Sequence, residues 1–514
     1  MSFGIYDGCP GPGFWERDNS HFPLPMSRHL WELFLPSYDA GTIRGLARYG
    51  SLIDHFDFAR IQGRLYFKTC FVEDPQETNR RIRASEEALN TKLWRSDREE
   101  WREARQKLRD RLLPFSEIDP AQLDCRTLQA HIVALREIFL EGTFRHFVQQ
   151  PSSMFPVGDW VRRVCTRTGC APAAALSLLR GSHTGSSDFD SLDHLDEYAD
   201  RIITGFDIID LTLRELPQLR TGTLESWREA QARQRAASGD AAQARQQFEA
   251  DTVERHRDLR ERVPAEFQNE FDEGLLEAKA AYGLHDEDVR ITYLWPLGLM
   301  RRALLAAAGL FIDRGRLDQQ DHIFQTTTTE LDSLLAGASA PTACELKERA
   351  QQFAAWKDEK PPQSFGERKP DRFDELPGPC ARVNQAIMYY LGQMEEQLSE
   401  NSRQPAWSLM VAGLAASPGR YEGWARVIRE AADFKKLRSG DVLVAPTTSP
   451  AYNVILPMIG AVVTDRGGAL SHSAIVAREF GIPAVVGTNH ATSRIPDGAR
   501  ILVDGDRGFV AVRT

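Results

Sequence analysis

Long apolar runs are missing from this chain. No stretch reaches the roughly 18 consecutive apolar residues that a membrane-spanning helix needs, so no membrane segment is expected. Cysteine is sparse, with 7 in 514 residues and none in a CxxC pair, which excludes a disulfide framework and a cysteine-rich zinc site. Such an odd, dispersed set fits reduced thiols. The first residues also lack the basic start and apolar core of a signal peptide, so a cytoplasmic location is expected. There is no Walker-type GxxxxGK loop and no GxGxxG turn. Net charge is −10 with no long basic stripe, so nucleic acid is not an expected partner.

What is present is ordinary globular material, 42% hydrophobic and 26% charged. The length allows about three domains. Residues 1–75 are rich in aromatics and turns, and the proline density there argues against regular helix. Ile61–Lys68 is a candidate short strand. From about 75 to 350 the pattern is helical, with long amphipathic stretches at Ser85–Leu113, Thr127–Gln149 and Ala241–Leu284. Arg301–Phe311 reads as a buried helix. Residues 357–408 hold Pro-rich linker chemistry and a short helix, Ala381–Ser399. The remainder, 409–514, reads as small α/β. It carries 12 Lys/Arg against 9 Asp/Glu on an otherwise acidic chain, which is compatible with handling an anion. The predicted fold is therefore multidomain: a mainly helical body over 1–356, a linker over 357–408, and a β/β/α unit over 409–514.

The chemistry concentrates in Thr464-Asp-Arg-Gly-Gly-Ala-Leu-Ser-His-Ser-Ala-Ile-Val-Ala-Arg-Glu-Phe-Gly-Ile-Pro-Ala-Val-Val-Gly487. Strands are expected at Val442–Ala445, Gly460–Thr464, Ala484–Gly487, Arg500–Val503 and Phe509–Val512. Ser473–Phe480 is a helix candidate closed by Gly481 and Pro483. A strand thus ends in a two-glycine turn and delivers His472 to a helix start. Gly467 and Gly468 let backbone N–H groups approach an anion, and the helix N-terminus adds about half a positive charge. A cation is disfavoured there, so a neutral imidazole with a free lone pair is expected to act as nucleophile. Thr464, Ser471 and Ser473 can supply hydroxyls, and Arg478 can reach phosphate or an acidic neighbour. A bare glycine turn before a histidine has an equally good structural explanation. Asp504–Gly508 mimics the start of a calcium loop, but its twelfth position has no acidic residue to supply, and no metal site is expected.

The full string resembles the phosphohistidine, or swivelling, domain of the phosphoenolpyruvate-utilising enzyme family, over about 105 residues from Gly413. That family includes pyruvate phosphate dikinase, phosphoenolpyruvate synthase, rifampin phosphotransferase and phenylphosphate synthase. The resemblance implies that His472 is transiently phosphorylated. No room is seen for the family's ATP-grasp module or its C-terminal barrel. ATP and Mg2+ are therefore expected mainly on a separate ATP-grasp subunit. The layout is similar to the catalytic subunit of phenylphosphate synthase and the two-component cresol-phosphorylating enzymes, and to the later two thirds of rifampin phosphotransferase. Looser matches lie at Trp15–Asp18 with His21, at Gln62–Tyr66, at Leu178–Gly181, and at Gly283–Arg290 with Leu297–Leu305. The resemblance implies a small phenolic or alcohol acceptor, with Arg290, Arg301 and Arg302 as candidate cations at the transfer site. His21, Trp15, His285 and Asp288 are candidate substrate or base residues. Each has a plainer reading as packing or solvated charge, and His183 and His490 are expected to be inert. An antibiotic or natural-product kinase and a non-catalytic phosphocarrier are the alternatives.

Overall fold

The fold was examined in a computed structural model that describes residues 5–7, 11–19, 22–179, 199–203, 205–217, 220–221, 252–282, 284–368, 373–395, 410–429, 431–448, 452–453 and 455–513. The chain forms two compact units. Unit 1 is Met1–Pro151, Leu195–Thr212 and Asp288–Asn384, and unit 2 is Ser152–His194, Leu213–Glu287 and Gln385–Thr514. The units divide the chain at 151/152, 194/195, 212/213, 287/288 and 384/385. The molecule is multidomain and largely helical, with an α/β sheet region near the C-terminus.

Unit 1 is built on a five-stranded sheet of order β1-β3-β4-β2-β5. Its strands are β1 (Ile5–Asp7), β2 (Trp15–Arg17), β3 (Ile53–Ile61), β4 (Arg64–Phe71) and β5 (Ser364–Phe365). The single strand expected near 61–68 is instead a hairpin. Gln62 and Gly63 both take positive φ, at 50° and 73°, the pair of left-handed residues that a two-residue turn of type I′ requires. Trp15, Ala59 and Tyr66 form a small core on one face.

Helix α1 (Arg28–Arg48) overturns the expectation of no regular helix before residue 75. Four prolines of that stretch (Pro10, Pro12, Pro23 and Pro25) precede the helix, and only Pro36 lies within it. An interior proline costs about 3 kcal/mol. Against it stand a Ser27 N-cap on the Leu30 N–H and a buried face that includes Leu30, Leu33, Phe34 and Leu35. Burying several such side chains at roughly 1.5–3 kcal/mol each offsets one proline.

The long helix expected over Ser85–Leu113 is two helices, α2 (Pro75–Thr91) and α3 (Leu93–Glu117), parted by left-handed Lys92 with φ 52°. Helix α4 (Cys125–Thr168) runs 44 residues, well beyond the expected Thr127–Gln149, and passes from unit 1 to unit 2. Of the stretch expected at Ala241–Leu284, residues 241–251 lie outside the described residues. A helix at 252–262 and another at Gln268–Ala281 are described, separated by a 3-10 turn. The buried helix expected near Arg301 is α5 (Trp295–Asp313), preceded by a π turn at Arg290–Leu294. The segment Arg290–Asp313 is apolar and long enough to cross a membrane by length and composition, and 67% of its apolar window is buried within the protein. Helix α6 (Gly378–Glu395) matches the expected linker helix at its start.

Unit 2 holds an eight-stranded sheet of order β6-β13-β12-β8-β9-β10-β11-β7. The strands are β6 (Met410–Ala412), β7 (Leu414–Ser417), β8 (Arg420–Val427), β9 (Val442–Ala445), β10 (Ala461–Thr464), β11 (Ala484–Val486), β12 (Arg500–Asp504) and β13 (Phe509–Val512). Strands β8 to β11 run parallel, and the outer pairs are antiparallel. Every residue of β9, β10 and β11 is buried, as parallel strands covered on both faces must be. Helices α4 and α6 approach closely in this unit. A Cβ on Gly158 would fall 2.2 Å from the Ala386 carbonyl oxygen, so only glycine fits there.

Candidate active site

Strand β10 ends at Thr464 and a seven-residue loop leads to helix α7 (His472–Phe480). Gly481 closes the helix in the left-handed conformation at φ 67°, with its N–H on the Ala477 and Arg478 carbonyls. This is the stop that Gly481 and Pro483 announce. His472 is the first residue of the helix, and Ser471 is its N-cap in extended conformation.

The loop between them is fixed at each step. The Asp465 N–H bonds the Ala445 carbonyl at 3.1 Å. Its carboxylate accepts from the Thr492 N–H at 2.9 Å and from the Thr492 hydroxyl. The Arg466 N–H reaches the Pro446 carbonyl at 2.9 Å. Gly467 sits at φ 111°, and a Cβ there would come within 2.8 Å of Ser471 Oγ. The Gly468 and Leu470 N–H groups donate to the Met394 and Gln393 carbonyls, each at 2.9 Å. Those carbonyls belong to the last turn of α6, where a helix leaves its C=O groups without intrahelical partners. The loop and the linker helix therefore satisfy one another.

The expected phosphoryl-site hydroxyls separate into distinct roles. Thr464 Oγ1 donates to the Arg466 carbonyl at 2.7 Å and braces its own turn. Ser473 Oγ lies 2.7 Å from Thr448 Oγ1, with both residues buried. Ser471 Oγ is buried with no hydrogen-bond partner among the described residues, and it caps no backbone N–H. A buried hydroxyl without a partner at a helix start is an available donor for an anion.

Arg478 is where the structure departs most from expectation. Its Nη1 and Nη2 donate to the carbonyls of Ala416 and Ala469, at 2.8 and 2.5 Å, and its Nε donates to the Tyr282 hydroxyl at 3.1 Å. All three guanidinium nitrogens are thus committed to backbone and tyrosine, at 2% exposure. Arg478 buttresses the loop from beneath instead of facing phosphate. His472 is itself enclosed, at 8% exposure.

Residues 437–508, which span β9 to β12 and α7, match the family described as PEP-utilising enzyme, mobile domain. That stretch is similar to the mobile domain of the PEP-utilising enzymes. The chain is 45% identical over 128 residues to a phosphoenolpyruvate synthase of Aeropyrum pernix, covering 24% of this chain and 15% of that protein. It is 47% identical over 102 residues to an uncharacterized phosphotransferase, YvkC, of Bacillus subtilis, covering 20% and 12%. It is 40% identical over 144 residues to a chondramide synthase of Chondromyces crocatus, covering 28% and 4%. The chain therefore spans between one twenty-fifth and about one seventh of the length of these relatives.

The matched stretch and all its loop residues lie in unit 2, whereas the expected acceptor-side residues other than His285 lie in unit 1. Arg290 opens the π turn, 6% exposed. Arg301 donates to the Ile208 carbonyl at 2.9 Å and lies 5.0 Å over the Phe324 ring. Arg302 pairs with Asp200 at 2.9 Å and donates to the Ser116 and Ile118 carbonyls. Arg301 and Arg302 thus hold the fold together, and the carboxylate partner of Arg302 is Asp200. Asp288 is buried, and its carbonyl accepts from Thr292. Trp15 is core, 1% exposed, with Nε1 on the Gly11 carbonyl and Lys68 over its ring. His21 and His183 lie outside the described residues, as does the His285 side chain. His490 is exposed.

Two features of unit 1 have no local sequence signal. The first is an aromatic cluster around Phe34, whose ring lies 5.3–5.9 Å from Phe22, Tyr38, Phe147 and Tyr293. Tyr293 stands on the same π turn as Arg290 and donates to the Phe206 carbonyl at 2.8 Å. Burial and nearby Asp207 raise its phenol well above the ordinary range. Asp207 is itself fully enclosed. Burial raises its carboxyl, while hydrogen bonds from Ser27 oppose that rise. The second is a cleft of about 440 Å³ whose lining includes Arg44, Arg48, Trp101, Phe144 and Arg145. Arg48 pairs with Asp97 at 2.6 Å and Arg145 with Glu141 at 2.9 Å. These groups come together only through the packing of α1, α3 and α4.

Proposed function

We propose that this chain is the phosphoryl-carrying component of a dikinase-type phosphotransferase. His472 accepts a phosphoryl group from ATP on a separate ATP-grasp polypeptide, which holds the nucleotide and Mg2+ and releases AMP and phosphate overall. His472 then passes the group to the hydroxyl of a small phenol, such as an alkylphenol, giving an aryl phosphate. In the second step the N–P bond of the imidazole breaks as the O–P bond forms, and the phenolic proton leaves for solvent or a base. A phenol needs little help in losing it, with a pKa of about 10 by analogy with tyrosine. In this reading the helical part of the chain binds the acceptor, and the C-terminal α/β part is the swivelling carrier.

The observation that carries the reading is the placement of His472. It is the first helical residue after a glycine loop in a recognised mobile domain, beside the unsatisfied Ser471 hydroxyl. Two features of unit 1 support the acceptor end. Arg290 shares its π turn with Tyr293 of the aromatic cluster. The arginine-lined cleft has the size of a small-ligand site and offers two aromatic walls. Cations in either place would screen the phosphoryl oxygens during in-line transfer.

The test feeds ATP labelled at the β-phosphate to the chain with and without an ATP-grasp protein, then adds p-cresol. Label should reach His472 only with the partner and leave only on adding a phenol. Departure to a larger natural product alone would point to the antibiotic-kinase alternative, and label that never departs to a carrier role. Arg290→Ala and Arg44→Ala separate the two acceptor locations. The one at the site should leave His472 labelling intact and slow transfer by about 100-fold, the scale of losing one charge-stabilising donor.

A further inference from the structure

Three donor atoms of different chemistry converge on the first sheet, far in sequence from the phosphohistidine loop. His55 and Asp57 stand two residues apart on β3, and Cys70 lies opposite His55 on β4. Residues two apart on a strand share a face, and directly opposed residues share it too. The pairing register therefore brings the three together, and it shifts by an irregularity between Ile53 and His55 that re-aims the His55 side chain. His55 Nε2 is 3.7 Å from Asp57 Oδ1, and Cys70 Sγ is 3.6 Å from Asp57 Oδ2. All three donor atoms lie within 4.8 Å of one another, and all three residues are half-buried. Ligands held tetrahedrally at about 2.0–2.3 Å from one zinc ion are about 3.3–3.8 Å apart. The observed spacings need only a small contraction to match.

A second observation concerns the imidazole. His55 Nδ1 lies 2.9 Å from Asp54 Oδ2. A carboxylate on one ring nitrogen fixes the tautomer in which that nitrogen carries the proton, leaving the Nε2 lone pair facing Asp57 and Cys70. This carboxylate–histidine arrangement is the one that orients histidine ligands in metal sites. The local charge also favours a cation. Asp54, Asp57 and a Cys70 thiolate bring three negative charges. The cations beside them are Lys68, 2.6 Å from Asp57 Oδ2, and Arg81, 4.0 Å from Asp54 Oδ1 and itself paired with Glu77 at 2.7 Å.

We propose that His55, Asp57 and Cys70 form a three-ligand site for a zinc-like divalent cation, with Asp54 positioning the histidine and Lys68 pairing with the Asp57 carboxylate. The mixed N, O and S donor set suits borderline-soft Zn2+ or Co2+ and disfavours Mg2+ and Ca2+, which take oxygen ligands. Three protein ligands leave a fourth position open on a half-exposed face, as in sites that bind water or a substrate atom and unlike closed structural sites. The expectation of no metal came from the absence of a recognised ligand spacing, and this set has none because one ligand comes from across the hairpin.

The test uses the full chain stripped with chelator and titrated with Co2+, followed by competition with Zn2+. Wild type should bind one Co2+ with a thiolate-to-cobalt charge-transfer band that Zn2+ bleaches. Cys70→Ser should lose the band, His55→Ala should bind at least 100-fold more weakly, and Asp54→Asn about 10- to 100-fold more weakly. Zn2+ should raise the Tm of wild type but not of Cys70→Ser, which also shows that the variant folds. No band in wild type overturns the site. A band that survives in Cys70→Ser does so as well, because it would come from another thiol such as the Cys165 and Cys170 pair, 3.7 Å apart.

Discussion

The phosphohistidine loop of unit 2 and the polar contacts that tie unit 1 together differ in how far they reach along the chain. In unit 2 the strands β9 and β10 pair on both sides with neighbours about twenty residues away, and the turn and helix between β10 and β11 complete a local instruction. In unit 1 the decisive contacts join segments far apart in the chain. The Ser27 hydroxyl meets Asp207 across 180 positions, the Leu52 N–H meets Asn384 across 332, and Arg17 meets the Pro361 carbonyl across 344. The lesson is about where chemistry can be read. A site made of consecutive residues can be recognised in a string, and a site made of distant ones cannot.

Three experiments would break or sharpen that contrast. The largest effect is expected in the local site. His472→Ala should lower transfer to background, a loss of at least 1,000-fold, while thermal unfolding shows a cost of about 1–2 kcal/mol because the ring is buried. Substantial residual transfer would remove His472 from the reaction. Next, Asp207→Ala should cost about 3 kcal/mol in denaturant titration. It strips partners from the Ser27 N–H and hydroxyl at the start of α1. A loss below 1 kcal/mol would mean that the distant contacts of unit 1 matter less than the geometry suggests.

The smallest effect is a difference in acid sensitivity. His29 is fully buried, and burial with nearby Arg136, opposed by Asp332, lowers its pKa from 6.5 to about 4. The unfolded chain therefore binds more protons between those values, so stability is greatest above pH 6.5 and falls as pH drops towards 4. The full swing is about 3 kcal/mol at 1.36 kcal/mol per unit, and about half of it is felt by pH 5.3. Hydrogen exchange at pH 5 should show α1 losing protection while β9 to β11, whose core cluster is entirely apolar, keep theirs. His29→Gln should flatten the dependence. Equal loss in both units would contradict the contrast.

Legibility followed the same division. The bounds of β9 and β13, and the stop of α7, were readable because apolar runs, glycines and Pro483 mark them directly. The burial of Arg478 was not, because its Tyr282 partner lies 196 positions away. The role of Asp465 sat in plain view inside the motif, yet its partner Thr492 is 27 positions on, and nothing local ties the two. In unit 1 the proline density points away from helix, whereas the cap and buried face of α1 outweigh Pro36. Arg301 and Arg302 have the residue type of a phosphate clamp but are spent on the Ile208 carbonyl and Asp200. Charge in a sequence says nothing of whether a carbonyl already waits for it.

The stretch that matches the mobile-domain family, 437–508, ends short of what it needs to stand. It contains β9 to β12 but none of β6, β7, β8 or β13, and the sheet core also requires Val411, Ala425, Val427 and Val510. Cut out at those limits, it would show bare backbone where β8 and β7 had lain against β9 and β11, an open invitation to aggregation. Arg478 would lose its tyrosine and its Ala416 carbonyl together. What is inherited as a signature is thus smaller than what must be transplanted as a working part.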